Sequence, residues 1–176
     1  MVTKAKARKN ALNIQKEYAS QNYSDDLIIE KISNHHKYKE ARVVAMYYPT
    51  SYEVNLLKLL SDKKTYVVPK TSSNRKMDFI IVNSNTIWEK NKFGINEPKD
   101  GKIITTNIDL MLVPTLAINK DLFRLGHGGG FYDTYLSDKP NIYTIGIMGA
   151  SLTLNFDSEP HDHKLNEVIF KEELKW

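Results

Sequence analysis

Asp109-Leu110-Met111-Leu112-Val113-Pro114 holds four consecutive apolar residues between an acid and a proline. A strand with one wet face alternates apolar and polar residues, whereas an uninterrupted apolar run suits a strand covered on both faces, as in a parallel sheet between helices. Working outward, further strands are predicted over 43–48, 65–68, 79–82 and 142–147, with the quoted run itself in a strand over 108–113. Helices are predicted over 2–20, a stretch free of Pro and Gly, over 25–38 and 53–60, with a short one from Phe131. Strand and helix alternate, which predicts a three-layer α/β/α fold: a mostly parallel sheet with helices on both faces, in a single domain over 1–176. Ligands in such folds bind beyond the carboxyl ends of the strands, so the segments after Tyr48, Val68 and Val113 are expected near a site.

Composition bounds the rest. The 176 residues suffice for one core, and 41% hydrophobic with 26% charged residues is ordinary globular usage. With no cysteine there is no disulfide framework, thiolate nucleophile or cysteine-bound zinc, and a reducing compartment is compatible. No apolar run approaches the ~20 residues needed to span a bilayer, so a cytoplasmic protein without a membrane partner is expected. The net charge of +4 is compatible with a solvated surface, nucleic acid or a polyanionic small ligand, and alone selects none.

Four of the eight glycines lie in Arg124-Leu125-Gly126-His127-Gly128-Gly129-Gly130-Phe131-Tyr132-Asp133. Glycines let backbone N–H groups turn towards an anion, and Arg124 adds a guanidinium suited to phosphate. The run is not a dinucleotide fingerprint, because Phe131 stands in place of the third glycine and no predicted strand directly precedes it. Nor is it a P-loop, since Gly101-Lys102 is followed by Ile103. His127-Gly128-Gly129-Gly130 matches the oxyanion motif of some esterases, but Gly149-Ala150-Ser151-Leu152-Thr153 lacks the final glycine of their nucleophile elbow.

At 100° per residue, Ala5, Ala11, Leu12, Ile14, Tyr18 and Ala19 form the apolar face of the first helix, and Lys4 and Arg8 project from that same face. Cations directed at the protein body need an anion. A polyphosphate is one candidate; a frayed end with side chains snorkelling to water is the alternative.

Lys4-x-x-x-Arg8, Gly94-Ile95-Asn96-Glu97-Pro98, Asp109 to Pro114 and above all Arg124 to Asp133 resemble the 5-formyltetrahydrofolate cyclo-ligase family, with further likeness at Arg75-Lys76-Met77-Asp78-Phe79 and His161-Asp162-His163-Lys164. The resemblance covers nearly the whole chain. It implies an enzyme that uses ATP and Mg2+ to convert 5-formyltetrahydrofolate to 5,10-methenyltetrahydrofolate, ADP and phosphate through a phosphorylated formyl group. It also implies, residue by residue, that Lys4, Arg8 and Arg124 hold the ATP phosphates with Gly126, His127, Gly128, Gly129, Gly130, Phe131 and Tyr132. Asp133 and Asp162 would serve the metal, and Tyr48 and Glu53 the folate, with His127, Gly128, Gly129, Gly130 and Phe131 beneath its formyl group. Arg124, His127 and Asp133 would carry the chemistry. A monomer with a small-molecule substrate and no nucleic acid is expected.

The chain departs from the family pattern at His127 and Phe131, where tyrosines are common, at Asn96 in place of proline, and at Thr115 in place of a glycine. Glu53 has a second reading, as an acid in the first turn of the 53–60 helix. RNA binding without catalysis, and an ATP-independent isomerase or acyl-transfer enzyme, are the competing functions.

Overall fold

A computed structural model describes residues 3–173, with side chains to Lys171. Its centre is a six-stranded sheet. In chain order, the strands are β1 (Val43–Ala45), β2 (Thr65–Thr71), β3 (Met77–Val82), β6 (Leu110–Pro114), β9 (Tyr143–Ser151) and β10 (Glu167–Glu173). Two small antiparallel pairs lie outside it: β4 (Trp88–Lys90) with β5 (Asn96–Pro98), and β7 (Ala117–Ile118) with β8 (Arg124–Leu125). The helices are α1 (Lys4–Ser20), α2 (Asp26–Asn34), α3 (His36–Glu40) and α4 (Phe131–Leu136).

The order β10-β9-β6-β1-β2-β3 is parallel throughout except for the antiparallel edge pair β2/β3, as the apolar run at Leu110 predicted for most of the sheet. Val44 pairs with Leu110 on one side and Tyr66 on the other. Side chains alternate across the sheet. Val44, Tyr66, Leu110, Leu112 and Ile145 pack with Ile28 and Ile32 of α2 and Tyr38 of α3; Ala45, Val67, Met111 and Val113 pack on the other face with Leu136 of α4. Both faces are thus covered, one of them by a single six-residue helix.

Several predicted boundaries shift, each for a local reason. Val2 lies outside the described residues, and α1 begins at Lys4 behind Thr3, whose hydroxyl accepts from the Lys6 N–H. The 25–38 helix is two helices: His35 is extended (φ −67°, ψ 133°), and its Nδ1 accepts from Lys37 N to cap α3. The 53–60 helix is replaced by a 3-10 turn, Leu57–Ser61. Asp25 accepts from Asn55 N, thirty residues away in sequence, and Asn55 from Leu57 N, side-chain bonds that take the backbone donors a helix start would present. The strand at 43–48 stops at Ala45, and Tyr47 leaves the ladder to donate its hydroxyl to Val54 O at 3.1 Å. β2 runs through Pro69 to Thr71, because β1 pairs no farther than Val67 and the missing proline N–H has no ladder to serve on that side. β10 is not among the predicted strands; its apolar run is only Val168-Ile169-Phe170 between charged residues.

The switch in strand order lies between β1 and β6, neighbours whose following loops run in opposite directions along the sheet. A crevice beyond their carboxyl ends is the expected consequence. α1 packs on β9, held by Gln15, which is 2% exposed. Its amide donates to Leu116 O and Ala150 O at 2.9 Å each, and its oxygen accepts from Ala150 N at 3.0 Å. That buried anchor fixes where Lys4 and Arg8, about three and two turns earlier, can reach.

Candidate functional site

The crevice is a cavity of about 390 Å³ beyond β1 and β6, and the residues predicted from sequence converge on its wall: Lys4, Arg8, Tyr48, Glu53, Arg124, the loop from Gly126 to Asp133, and Asp162. They arrive from separate elements. α1 brings the two cations, the loop after β1 brings Tyr48 and Glu53, and β8 delivers Arg124 directly into the glycine run. A short strand therefore does precede the glycines, contrary to the sequence reading, although Phe131 still breaks the dinucleotide pattern.

The buried face of α1 is Ala7, Ala11, Gln15 and Tyr18, rotated from the face predicted, and Ala5 is exposed. Lys4 and Arg8 nonetheless point inward. Lys4 Nζ donates to Glu159 Oε2 at 2.8 Å and to Asp162. Burial pulls the Lys4 pKa down, but its two carboxylate partners outweigh that and hold it above the ordinary lysine value. Asp162 is also pulled two ways: burial raises its pKa, while the Glu159 N–H at 2.6 Å and Lys4 bring it below the usual carboxylate value. Arg8 Nε donates to Gly126 O at 2.9 Å, so the cation grips the start of the loop through its backbone.

Arg124 has only 6% of its side chain exposed and pairs with Asp133, Nη2 to Oδ2 at 3.2 Å, across the loop. Its Nε is buried without a hydrogen-bond partner. A buried guanidinium with one donor unspent, on the wall of a cavity, is suited to an anion. Asp133 lies in the first turn of α4, and its second oxygen accepts from His163 N at 3.0 Å. The loop itself needs glycine at Gly128 (φ 92°) and Gly130 (φ 70°), backbone states other residues rarely adopt.

Also on the cavity wall, Glu53 is not a helix-start acid, since no helix begins there. Its Oε2 accepts from Thr50 N at 2.8 Å, which closes the turn after β1, and its Oε1 lies 3.7 Å from His127 Nε2. The same His127 nitrogen is 2.9 Å from Tyr52 Oη. Burial lowers the His127 pKa, Glu53 opposes this, and Arg124 and Arg8 reinforce it, so the ring is neutral at pH 7. Tyr48 stacks obliquely on Trp88, with ring centroids 4.7 Å apart.

Other lining residues escaped the sequence reading. Glu97, 6% exposed, accepts at Oε1 from Thr71 N (2.9 Å), Thr71 Oγ1 (2.5 Å) and Asn91 Nδ2 (2.9 Å), and so ties the β4–β5 hairpin to the end of β2. Its only signal in sequence was its place in the 94–98 motif. Glu159 and His161 join Asp162 in a cluster whose ligand atoms lie within 4.8 Å of one another, and Asp133 is not part of it. Among the described residues no helix is long and apolar enough to cross a membrane.

Comparison with known proteins identifies the family and the fold. A model described as the 5-formyltetrahydrofolate cyclo-ligase family matches residues 2–171. The chain is 33% identical over 132 residues to the 5-formyltetrahydrofolate cyclo-ligase of Mycoplasma genitalium, covering 72% of this chain and 70% of that protein. It is 24% identical over 165 residues to the Mus musculus protein of the same name, covering 83% and 81%. The solved structure of a 5,10-methenyltetrahydrofolate synthetase from Mycoplasma pneumoniae superposes with a TM-score of 0.73 at 24% identity, over 96% of this chain and 98% of that one, and so shares its fold.

Proposed function

The chain belongs to the 5-formyltetrahydrofolate cyclo-ligase family and is a ligase of folate one-carbon metabolism, and on that premise we propose how its own residues carry out the ring closure. The reaction converts 5-formyltetrahydrofolate and ATP to 5,10-methenyltetrahydrofolate, ADP and phosphate. The observation that carries the assignment of roles is the convergence of Lys4, Arg8, Arg124, Glu53 and Tyr48 on the wall of a single cavity. That wall offers cations to a polyanion, and a carboxylate with aromatic surface to a flat heterocycle.

Lys4, Arg8 and Arg124 bind the phosphates of ATP, with N–H groups of the 126–132 loop beside them. Arg8 already holds the loop's backbone, and the unspent Nε of Arg124 is a ready donor. Glu53, fixed by Thr50 N, accepts from the N–H edge of the pterin, while Tyr48 and Phe131 flank the substrate with aromatic surface. The formyl oxygen attacks the γ-phosphorus as the bond to ADP breaks. N10 then attacks the formyl carbon, loses its proton, and phosphate departs with the former formyl oxygen. His127, neutral and held by Tyr52, lies beneath the formyl group and can hydrogen-bond it without adding a charge between the phosphates and Arg8. The work asked of the protein is positioning and charge stabilisation.

The carboxylates fit Mg2+, which prefers hard oxygen donors and few of them from protein. Asp162, with Glu159 beside it, and Asp133 are the candidates. When bound, the ion would offset charge on the phosphates during transfer. Asp162 and Asp133 are also ion-paired, with Lys4 and Arg124 respectively, so each candidate carboxylate lies beside a cation assigned to the phosphates. The absence of cysteine fits a reducing cytoplasm, and we take the enzyme to act as a monomer without a nucleic-acid or membrane partner.

The test is omission. Protein, magnesium, ATP and 5-formyltetrahydrofolate together should generate the ultraviolet absorbance of the methenyl product, and leaving out any one of the four should abolish it. Product formed without ATP would contradict the proposal and favour an ATP-independent enzyme.

A further inference from the structure

Three glycines of the loop each face a guanidinium from a different part of the chain. A Cβ at Gly126 would collide with the Arg124 guanidinium, one at Gly128 would lie 3.3 Å from Arg8 Cζ, and one at Gly130 would lie 3.5 Å from Arg75 Nη1. Arg124 and Arg8 belong to the phosphate site already described. Arg75 does not: it comes from the turn between β2 and β3, yet its side chain reaches the cavity wall.

Two features separate Arg75 from an ordinary surface arginine. Its backbone is left-handed (φ 59°) and follows a left-handed Asn74 (φ 58°). Asparagine tolerates that state, but arginine gains nothing from it, and such strain tends to persist where a side chain must be aimed. In addition, Lys4 and Arg124 are paired with carboxylates, whereas among the described residues Arg75 has no carboxylate partner. An exposed, unpaired guanidinium held over Gly130 at the cost of backbone strain has its charge available for a ligand.

We propose that Arg75 is a further phosphate-binding residue, which engages the phosphate chain of ATP from the β2–β3 turn and completes a set of three arginines spaced along Gly126, Gly128 and Gly130. The inference rests on the ATP-dependent reading above. At 3.5–3.7 Å from where a Cβ would stand, the Arg75 side chain is in van der Waals reach of Gly130, so the guanidinium lies directly against the loop.

The test compares Arg75→Ala, Arg75→Lys and Arg75→Gly with wild type by calorimetric titration with magnesium-ATP and, separately, with 5-formyltetrahydrofolate, alongside thermal melts. Arg75→Ala should bind ATP about tenfold more weakly, the loss of one charge-assisted contact, with folate affinity unchanged. Arg75→Lys should recover part of the loss. Arg75→Gly should lose as much ATP affinity as alanine while melting no lower than wild type, because glycine adopts φ 59° freely; a purely structural residue would not weaken one ligand while leaving the melt intact. Unchanged ATP affinity in the alanine and glycine variants would overturn the proposal, as would a loss confined to folate, which would give the guanidinium to the substrate's carboxylates. Wild-type protein that bound folate but no ATP would overturn the underlying reading and this one with it.

Discussion

Arg124 and Asp133 close the glycine loop like a clasp: the guanidinium at its start lies 3.2 Å from the carboxylate at its end, with side chains only 6% and 16% exposed. The remaining oxygen of Asp133 accepts from His163 N, so one acid joins the loop, α4 and the segment leading to β10. An acid placed for the helix dipole alone would not be expected to make either contact.

Asp133→Asn should therefore affect both stability and turnover. The amide keeps the shape but leaves Arg124 buried without its counter-charge, a loss of about 3 kcal/mol, the lower end for breaking a buried pair. Turnover should fall by orders of magnitude, and its magnesium dependence should move to higher concentration. Chemical denaturation and initial-rate assays check the two halves. A helix-start role alone would cost only ~0.3–1 kcal/mol and leave turnover near normal.

Glu53→Gln isolates the folate side. Glutamine can still accept from Thr50 N, so the turn should hold, but the charge that draws the pterin N–H edge is gone. The KM for 5-formyltetrahydrofolate should rise about tenfold or more, the scale of one hydrogen bond to a charged group, with the KM for ATP little changed. Equal effects on both substrates would place Glu53 in the scaffold rather than against the folate.

The imidazoles set a pH dependence. Burial lowers the pKa of both His127 and His163 in the folded protein below the ordinary 6.5. On acidification through that value the unfolded chain takes up protons that the folded chain refuses. Stability should thus be full above pH 6.5 and decline as the pH falls from there to the folded values. Asp162, also lowered, affects stability only below 3.8, a separate window. Thermal melts of wild type and His127→Gln across this range check the sign: the variant should lose less stability on acidification.

The sequence made the central sheet and the ligand-facing segments legible because their signals are local. Four apolar residues at Leu110 require cover on both faces, and clustered glycines beside Arg124 mark a backbone made for an anion. Lys4 and Arg8 were legible as misplaced charges, although the buried face of α1 is set by Gln15, a polar residue whose partners lie more than a hundred positions away. What stayed hidden depends on contacts of that kind. The 53–60 segment has helical spacing, but Asp25 and Asn55 claim its backbone donors. Pro69 ends a strand in isolation, yet not where its neighbour has already departed. Glu159 carries no local mark of a site, and Arg75 was legible only as part of a family-like segment without a role; the contacts that single them out are with Lys4 and Gly130, distant in sequence.

The central claim is that one cavity couples ATP cleavage to closure of the folate ring. The most direct measurement is the ratio of ADP to 5,10-methenyltetrahydrofolate formed by purified protein with magnesium, ATP and 5-formyltetrahydrofolate, sampled over many turnovers. The account predicts one ADP per methenyl group throughout and no ADP in the absence of the folate. ADP accumulating turnover after turnover without ring closure, or methenyl product in excess of ADP, would contradict it.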